Sequence, residues 1–166
     1  LLGQLVRETG VRVLLPDYSG FGGNPGSPTE AEVVTDGIAA FDHLRAGGVP
    51  AERIVLYGES IGGGVAAAVA EARPCAGLVL QSTFSSVSSM ALRIYPWLPL
   101  TALLSRGVFP SADRVAASRM PVLVIHGDAD RVIPPGEGRA LAAAAPDRAE
   151  FLLVPGAGHE DVLDPS

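Results

Sequence analysis

Five short runs along the chain are almost continuously apolar: Val11 to Leu15, Arg53 to Tyr57, Gly77 to Leu80, Pro121 to His126 and Glu150 to Val154. Each is rich in Val, Ile and Leu and lacks the alternation of a strand with one wet face, so each predicts a strand buried on both faces. Between them the spacing turns helical. The helix before the second run is the best marked. Thr29 and Glu32 predict a capping box, Val34, Ile38, Phe41 and Leu44 share one face, and Gly47-Gly48 ends it. His43 lies off that stripe and reads as a solvated surface histidine. Such strands alternating with helices predict an α/β fold, a mostly parallel sheet with helices on both faces. No repeat, low-complexity tract or linker divides the chain, so residues 1–166 are expected to form a single domain.

Composition narrows the chemistry. The formal net charge is −6 with no basic cluster, which argues against nucleic acid or an anionic membrane as a partner held by charge. All 12 basic residues are arginine, so a P-loop lysine, a Schiff base and a Ser-Lys dyad are excluded. The single cysteine, Cys75, has no partner for a disulfide or a C-x-x-C site and reads as a buried small residue. No apolar run reaches the ~18 residues a membrane span needs, since Ala91 to Leu104 is broken by Arg93, Pro96 and Pro99.

The chemically telling stretch is "IVLYGESIGGGVAAAVAEA", Ile54 to Ala72, where β-formers give way to small helix-formers around Ser60. Gly58-Glu59-Ser60-Ile61-Gly62 matches G-x-S-x-G, but a chain of this composition yields roughly 0.2 such matches by chance, so the setting matters more than the letters. A serine on a sharp strand-to-helix turn is held in a strained conformation with Oγ exposed. The same turn puts the Ile61 N–H at a helix start, aimed where an oxyanion would form. A serine hydroxyl needs a base to take its proton and an acid to orient that base. His159 lies in the Gly-rich "VPGAGHEDV" just after the last apolar run, and His126 closes a run in "VLVIHGDADRVIP", followed by Asp128 and Asp130. The chain order serine, aspartate, histidine is that of α/β-hydrolases.

Other chemistries fit less well. Set against G-x-G-x-x-G, the alignment starting at Gly58 puts Ser60 where a side chain would block a pyrophosphate, and the next strand ends in Gln81 instead of an acid for a ribose. His126, Asp128 and Asp130 could ligate a metal, but no H-x-H or H-E-x-x-H accompanies them, and no metal or other cofactor is expected. A non-catalytic relative serving as a binding module stays open as the alternative.

The motifs run nearly end to end: "LLPDYSGFGGNPGSPTE", "IVLYGESIGGGVA", "GLVLQSTFSS", "MPVLVIHGDADRVIP" and "LLVPGAGHEDV". Through them the sequence resembles the α/β-hydrolase superfamily, most of all its small-cap serine acyl hydrolases, which include depalmitoylase-like, monoacylglycerol-lipase-like and serine-aminopeptidase-like domains. The resemblance implies Ser60 as nucleophile, Asp130 as the acid of H-G-x-x-D and His159 as general base, with Asp128 a turn former and His126 and Gly127 structural. It implies a small-molecule substrate, cleaved at a carboxylic ester or thioester through an acyl-enzyme. It also implies a small helical cap at about residues 84–118, whose Ile94, Trp97, Leu98, Leu100 and Leu103 would line an acyl pocket. Gly20, Phe21, Phe84 and Trp97 are the expected substrate contacts, the first two in the Gly-rich loop Ser19 to Pro28 at the carboxyl edge of the sheet. In that superfamily a second oxyanion donor follows an earlier strand lying between the first two strands of this chain. Leu1 to Thr9 would be the helix after it. The early strands are thus expected to be missing here, and residues 1–166 alone to be nearly inactive.

Overall fold

The computed structural model describes residues 2–94 and 108–163. Four strands form one sheet in the order β1-β2-β3-β4, all parallel: β1 (Val55–Glu59), β2 (Gly77–Gln81), β3 (Val122–Gly127) and β4 (Ala149–Val154). Helices α1 (Leu2–Thr9) and α2 (Glu30–Ala46) precede β1, and α3 (Ile61–Ala72) joins β1 to β2. After β2 come α4 (Val87–Ile94) and α5 (Ser111–Ala117), and α6 (Pro135–Ala143) joins β3 to β4. Strand order thus follows chain order, as expected when parallel neighbours are joined by helical crossovers.

The two faces of the sheet are covered unequally. On one, Leu78, Leu80, Val122 and Val124 pack with Ala66, Ala67 and Ala70 of α3, Val115 of α5 and Leu141 of α6. The row of alanines lets α3 lie close to β1 and β2, and α2 packs on the far side of α3 through Val33 and Phe41. The opposite face sets Val79, Leu123 and Ile125 against Ala157, Val162 and Leu163 and leaves Val55, Tyr57 and Leu152 exposed. The expected helical cover is therefore realised on the first face.

Two local expectations are revised. Val11 to Leu15 is not a strand: it runs unpaired, with Val11, Val13, Leu14 and Leu15 exposed. Apolar β-formers do not make a strand without a neighbour to take their backbone hydrogen bonds, and β1, at the end of the sheet, pairs only with β2. At the start of α2 the capping box is half formed. Thr29 accepts the Glu32 N–H at 3.3 Å, but the Glu32 carboxylate accepts from Ser27 N at 2.7 Å instead of reaching Thr29. Among the described residues no helix is long and apolar enough to cross a membrane.

Candidate active site

Ser60 stands between β1 and α3 with φ 52° and ψ −123°. A non-glycine residue held there costs about 1–3 kcal/mol and persists only if its surroundings fix it. Three bonds do so: Ser60 N–H donates to Gln81 O at 3.0 Å, and Ser60 O accepts from Gly63 N at 3.1 Å and from Thr83 Oγ1 at 2.6 Å. Glycine is demanded by close approach at Gly58, where a Cβ would lie 2.3 Å from Gly62 O, and at Gly63, where it would lie 2.4 Å from Thr83 Oγ1. Gly62 itself faces open space. The steric demand of the turn thus falls on Gly58, the first glycine of G-x-S-x-G, and on Gly63, and not on the second motif glycine, Gly62. Thr83, fully buried, had no signal in the sequence beyond its place after β2.

His159 follows β4, and the structure brings it to Ser60. Its Nε2 lies 3.2 Å from Ser60 Oγ and its Nδ1 2.8 Å from Asp130 Oδ2. A carboxylate oxygen only accepts, so Nδ1 carries the proton and Nε2 presents a lone pair to the serine hydroxyl. Asp130, its carboxylate shut off from solvent, is fixed at the other oxygen, where Oδ1 accepts Val132 N and Ile133 N at 2.9 Å each. The turn-forming role foreseen for Asp128 therefore belongs to Asp130. Asp128 reaches across to the neighbouring loop, Oδ1 accepting Gly156 N at 2.7 Å. The loops after β3 and β4 run backbone to backbone: Asp128 N donates to Val154 O, Ala129 N donates to Ala157 O, and a Cβ on Gly127 would lie 2.2 Å from Ala157 O.

The remaining expected residues are spread more widely. Ile61 opens α3, where a backbone N–H has no partner within the helix. Gly20 and Phe21 sit in an exposed turn, and Phe84 is buried edge-on against Phe109, ring centroids 6.2 Å apart. Trp97, Leu98, Leu100 and Leu103 lie outside the described residues, as do residues 95–107 of the expected cap. Helix α5, at the far end of that stretch, packs on α3 with Val115 fully buried. His43 is exposed. Burial pushes the Cys75 thiol above its ordinary range, which keeps it protonated. Tyr57, donating to Gln81 Oε1 at 2.6 Å, is pushed up to about 12 by burial and then by the Glu59 charge. A groove of about 510 Å³ lined by Thr29, Glu30, Ala31, Val34 and Arg114 shares no residue with the Ser60 cluster.

A hydrolase family described as serine aminopeptidase, S33, matches residues 2–113 and 111–166. An α/β hydrolase domain-containing protein of Caenorhabditis elegans, aho-3, is 40% identical over 147 residues, 88% of this chain and 43% of the relative. The chain belongs to the α/β-hydrolase superfamily. An uncharacterized protein of Mycobacterium tuberculosis is 44% identical over 153 residues, 92% of this chain and 54% of its own. This α/β-hydrolase chain thus spans about half the length of the curated relatives it matches. Among solved structures, a thermophilic esterase from Thermogutta terrifontis is similar with a TM-score of 0.60 and 25% identity, covering 87% of this chain and 71% of the esterase.

Proposed function

We propose that this α/β-hydrolase is a serine hydrolase that cleaves a carboxylic ester or thioester through an acyl-enzyme, with Ser60 as nucleophile, His159 as base and Asp130 as the orienting acid. The observation that carries the reading is the unbroken line from Ser60 Oγ through His159 to the Asp130 carboxylate, at 3.2 and 2.8 Å. As Ser60 Oγ attacks the acyl carbon, its proton passes to His159 Nε2. The carbonyl oxygen becomes an oxyanion facing the Ile61 N–H, and Asp130 stabilises the imidazolium without taking its proton. Collapse of the tetrahedral intermediate breaks the bond to the alcohol or thiol, which leaves with the proton from Nε2. A water then repeats the sequence on the acyl-enzyme and frees the acid. The exposed Phe21 and the glycines around it would meet an apolar acyl group. The esterase similarity supports an ester substrate.

A fluorophosphonate probe tests the reading on the full-length protein. Mass spectrometry should find the label on Ser60. Ser60→Ala and His159→Ala should each lose activity on short acyl esters by several orders of magnitude. Labelling elsewhere, or undiminished labelling of Ser60→Ala, would reject it.

A further inference from the structure

A second histidine touches the same carboxylate. His126, at the end of β3, is fully buried, and its Nε2 lies 2.7 Å from Ile133 O and 3.3 Å from Asp130 Oδ2. A carbonyl oxygen only accepts, so Nε2 bears the proton and donates it to Ile133 O, with Asp130 Oδ2 beside it. Nδ1 has no hydrogen-bond partner and faces the backbone of α6, where a Cβ on Gly138 would lie 2.6 Å from it. The neighbouring carboxylate, Glu137, is committed to Ser85 N, Ser85 Oγ and Ser89 Oγ. The ring is thus fixed in orientation, with its Nε2–H edge turned toward the acid.

We propose that His126 is a positioning residue for the hydrolytic reaction: its Nε2–H, anchored on Ile133 O, sets a positive edge against Asp130 Oδ2, so that Oδ2 holds the His159 ring in line with Ser60. The carboxylate accepts three hydrogen bonds, from two backbone N–H groups on Oδ1 and from His159 Nδ1 on Oδ2, and His126 Nε2 lies against Oδ2 at 3.3 Å. Such a carboxylate is fixed at both oxygens and has little freedom to rotate. Without His126, Oδ2 would lose the polar edge beside its bond to His159, the group it has to orient. This role goes beyond support of the strand exit, because it depends on one atom of the ring and not on its bulk.

The inference rests on the hydrolase reading, and the test separates the two. Gln at 126 places an amide nitrogen as many bonds from Cβ as Nε2, whereas Asn places one where the unpartnered Nδ1 stood. In the full-length protein, His126→Asn and His126→Phe should lower kcat by about 10- to 10²-fold with KM within about twofold, and His126→Gln should recover most of the loss. The downfield proton resonance of His159 Nδ1–H, assigned by its absence from His159→Gln, should persist in His126→Gln and broaden or vanish in the Asn and Phe variants. Equal kcat losses in Gln and Asn, losses that simply follow Tm across the three variants, or an unchanged resonance in all of them would overturn the proposal. A wild-type protein that turns over no ester but shows this resonance pattern would sink the hydrolase reading and leave the positioning role standing.

Discussion

Residues 127–134 after β3 and residues 16–28 after the Val11 to Leu15 run both leave an apolar stretch through an aspartate-bearing turn, but different things hold them. The first is pinned by a neighbouring strand and its loop: Asp128 N and Ala129 N donate to Val154 O and Ala157 O, and Asp128 accepts Gly156 N. The second is built largely from its own short-range bonds, Phe21 N to Tyr18 O, Asn24 N to Phe21 O and Asn24 Nδ2 to Asp17 O, with anchors to α2 at Asp36 and Glu32. A residue that must stay within about half an ångström of a productive geometry belongs on the first kind of support. The second is not tied to the sheet by any of these bonds.

The comparison can be broken most decisively at its aspartates. Asp130→Asn puts an amide opposite His159 Nδ1 and favours the wrong tautomer, so kcat should fall by about 10⁴-fold, as triad logic implies. Asp17→Asn, in the self-held segment, should leave kcat and Tm unchanged. Similar losses from both would show that the two supports do not differ.

Next come the glycines. Gly127→Ala drives a Cβ into Ala157 O and Gly158 O, backbone atoms with no flexible end to yield. It should destabilise the protein by about 3 kcal/mol and lower kcat by about 10²-fold as the His159 loop moves. Gly23→Ala meets nothing within 4 Å and bears only the strain of its φ of 86°, so it should cost about 1 kcal/mol with kcat unmoved. Thermal melts and steady-state kinetics on both would sharpen the contrast.

A smaller effect is expected at Asp128. Asp128→Ala removes the acceptor for Gly156 N–H and should lower stability by about 1–2 kcal/mol, whereas Asp128→Asn keeps an acceptor oxygen and should retain most of it. Denaturant melts of the pair decide whether the tether between the two loops is real.

The smallest effect belongs to Tyr18. Burial, and then the charge of Asp36, push its phenol above the ordinary tyrosine range. The folded state therefore holds this proton more tightly than the unfolded state. Its contribution to stability is fully present below about pH 10 and is lost as pH rises through the folded value. Tyr18→Phe should show a shallower alkaline loss of stability than wild type in melts above pH 10. Part of the slope should remain, because Tyr57 titrates with the same sign.

The sequence made four strands and the Ser60 turn legible because both are local signals, a run of β-formers and a glycine-flanked serine between two periodicities. Val11 to Leu15 carries the same local signal, yet pairing depends on what lies beside a strand, which no window of residues contains. The grouping of Ser60, Asp130 and His159 was foreseen through chain order and family resemblance. Thr83 was not read as a support, because its bond to Ser60 O forms only when β1 and β2 come to lie side by side, and His126, read as structural, shows its contacts with Asp130 and Ile133 only once the loop after β3 folds back. That Asp130 closes the turn as well as facing His159, while Asp128 bonds Gly156, was hidden in the same way. Either could close a local turn, and only the approach of residues 154–157 draws Asp128 away.

Sheet order has a consequence for the time course of synthesis. Ser60 and His159 are 99 residues apart, and His159 follows β4. A nascent chain can complete β1, α3 and the strained serine turn long before the base exists. Contacts of such sequence separation close slowly, since loop entropy must be lost before any bond forms in return. Assembly of the Ser60–His159 pair therefore comes after that of the serine turn, and probe reactivity at Ser60, followed during refolding, would serve as a clock for it.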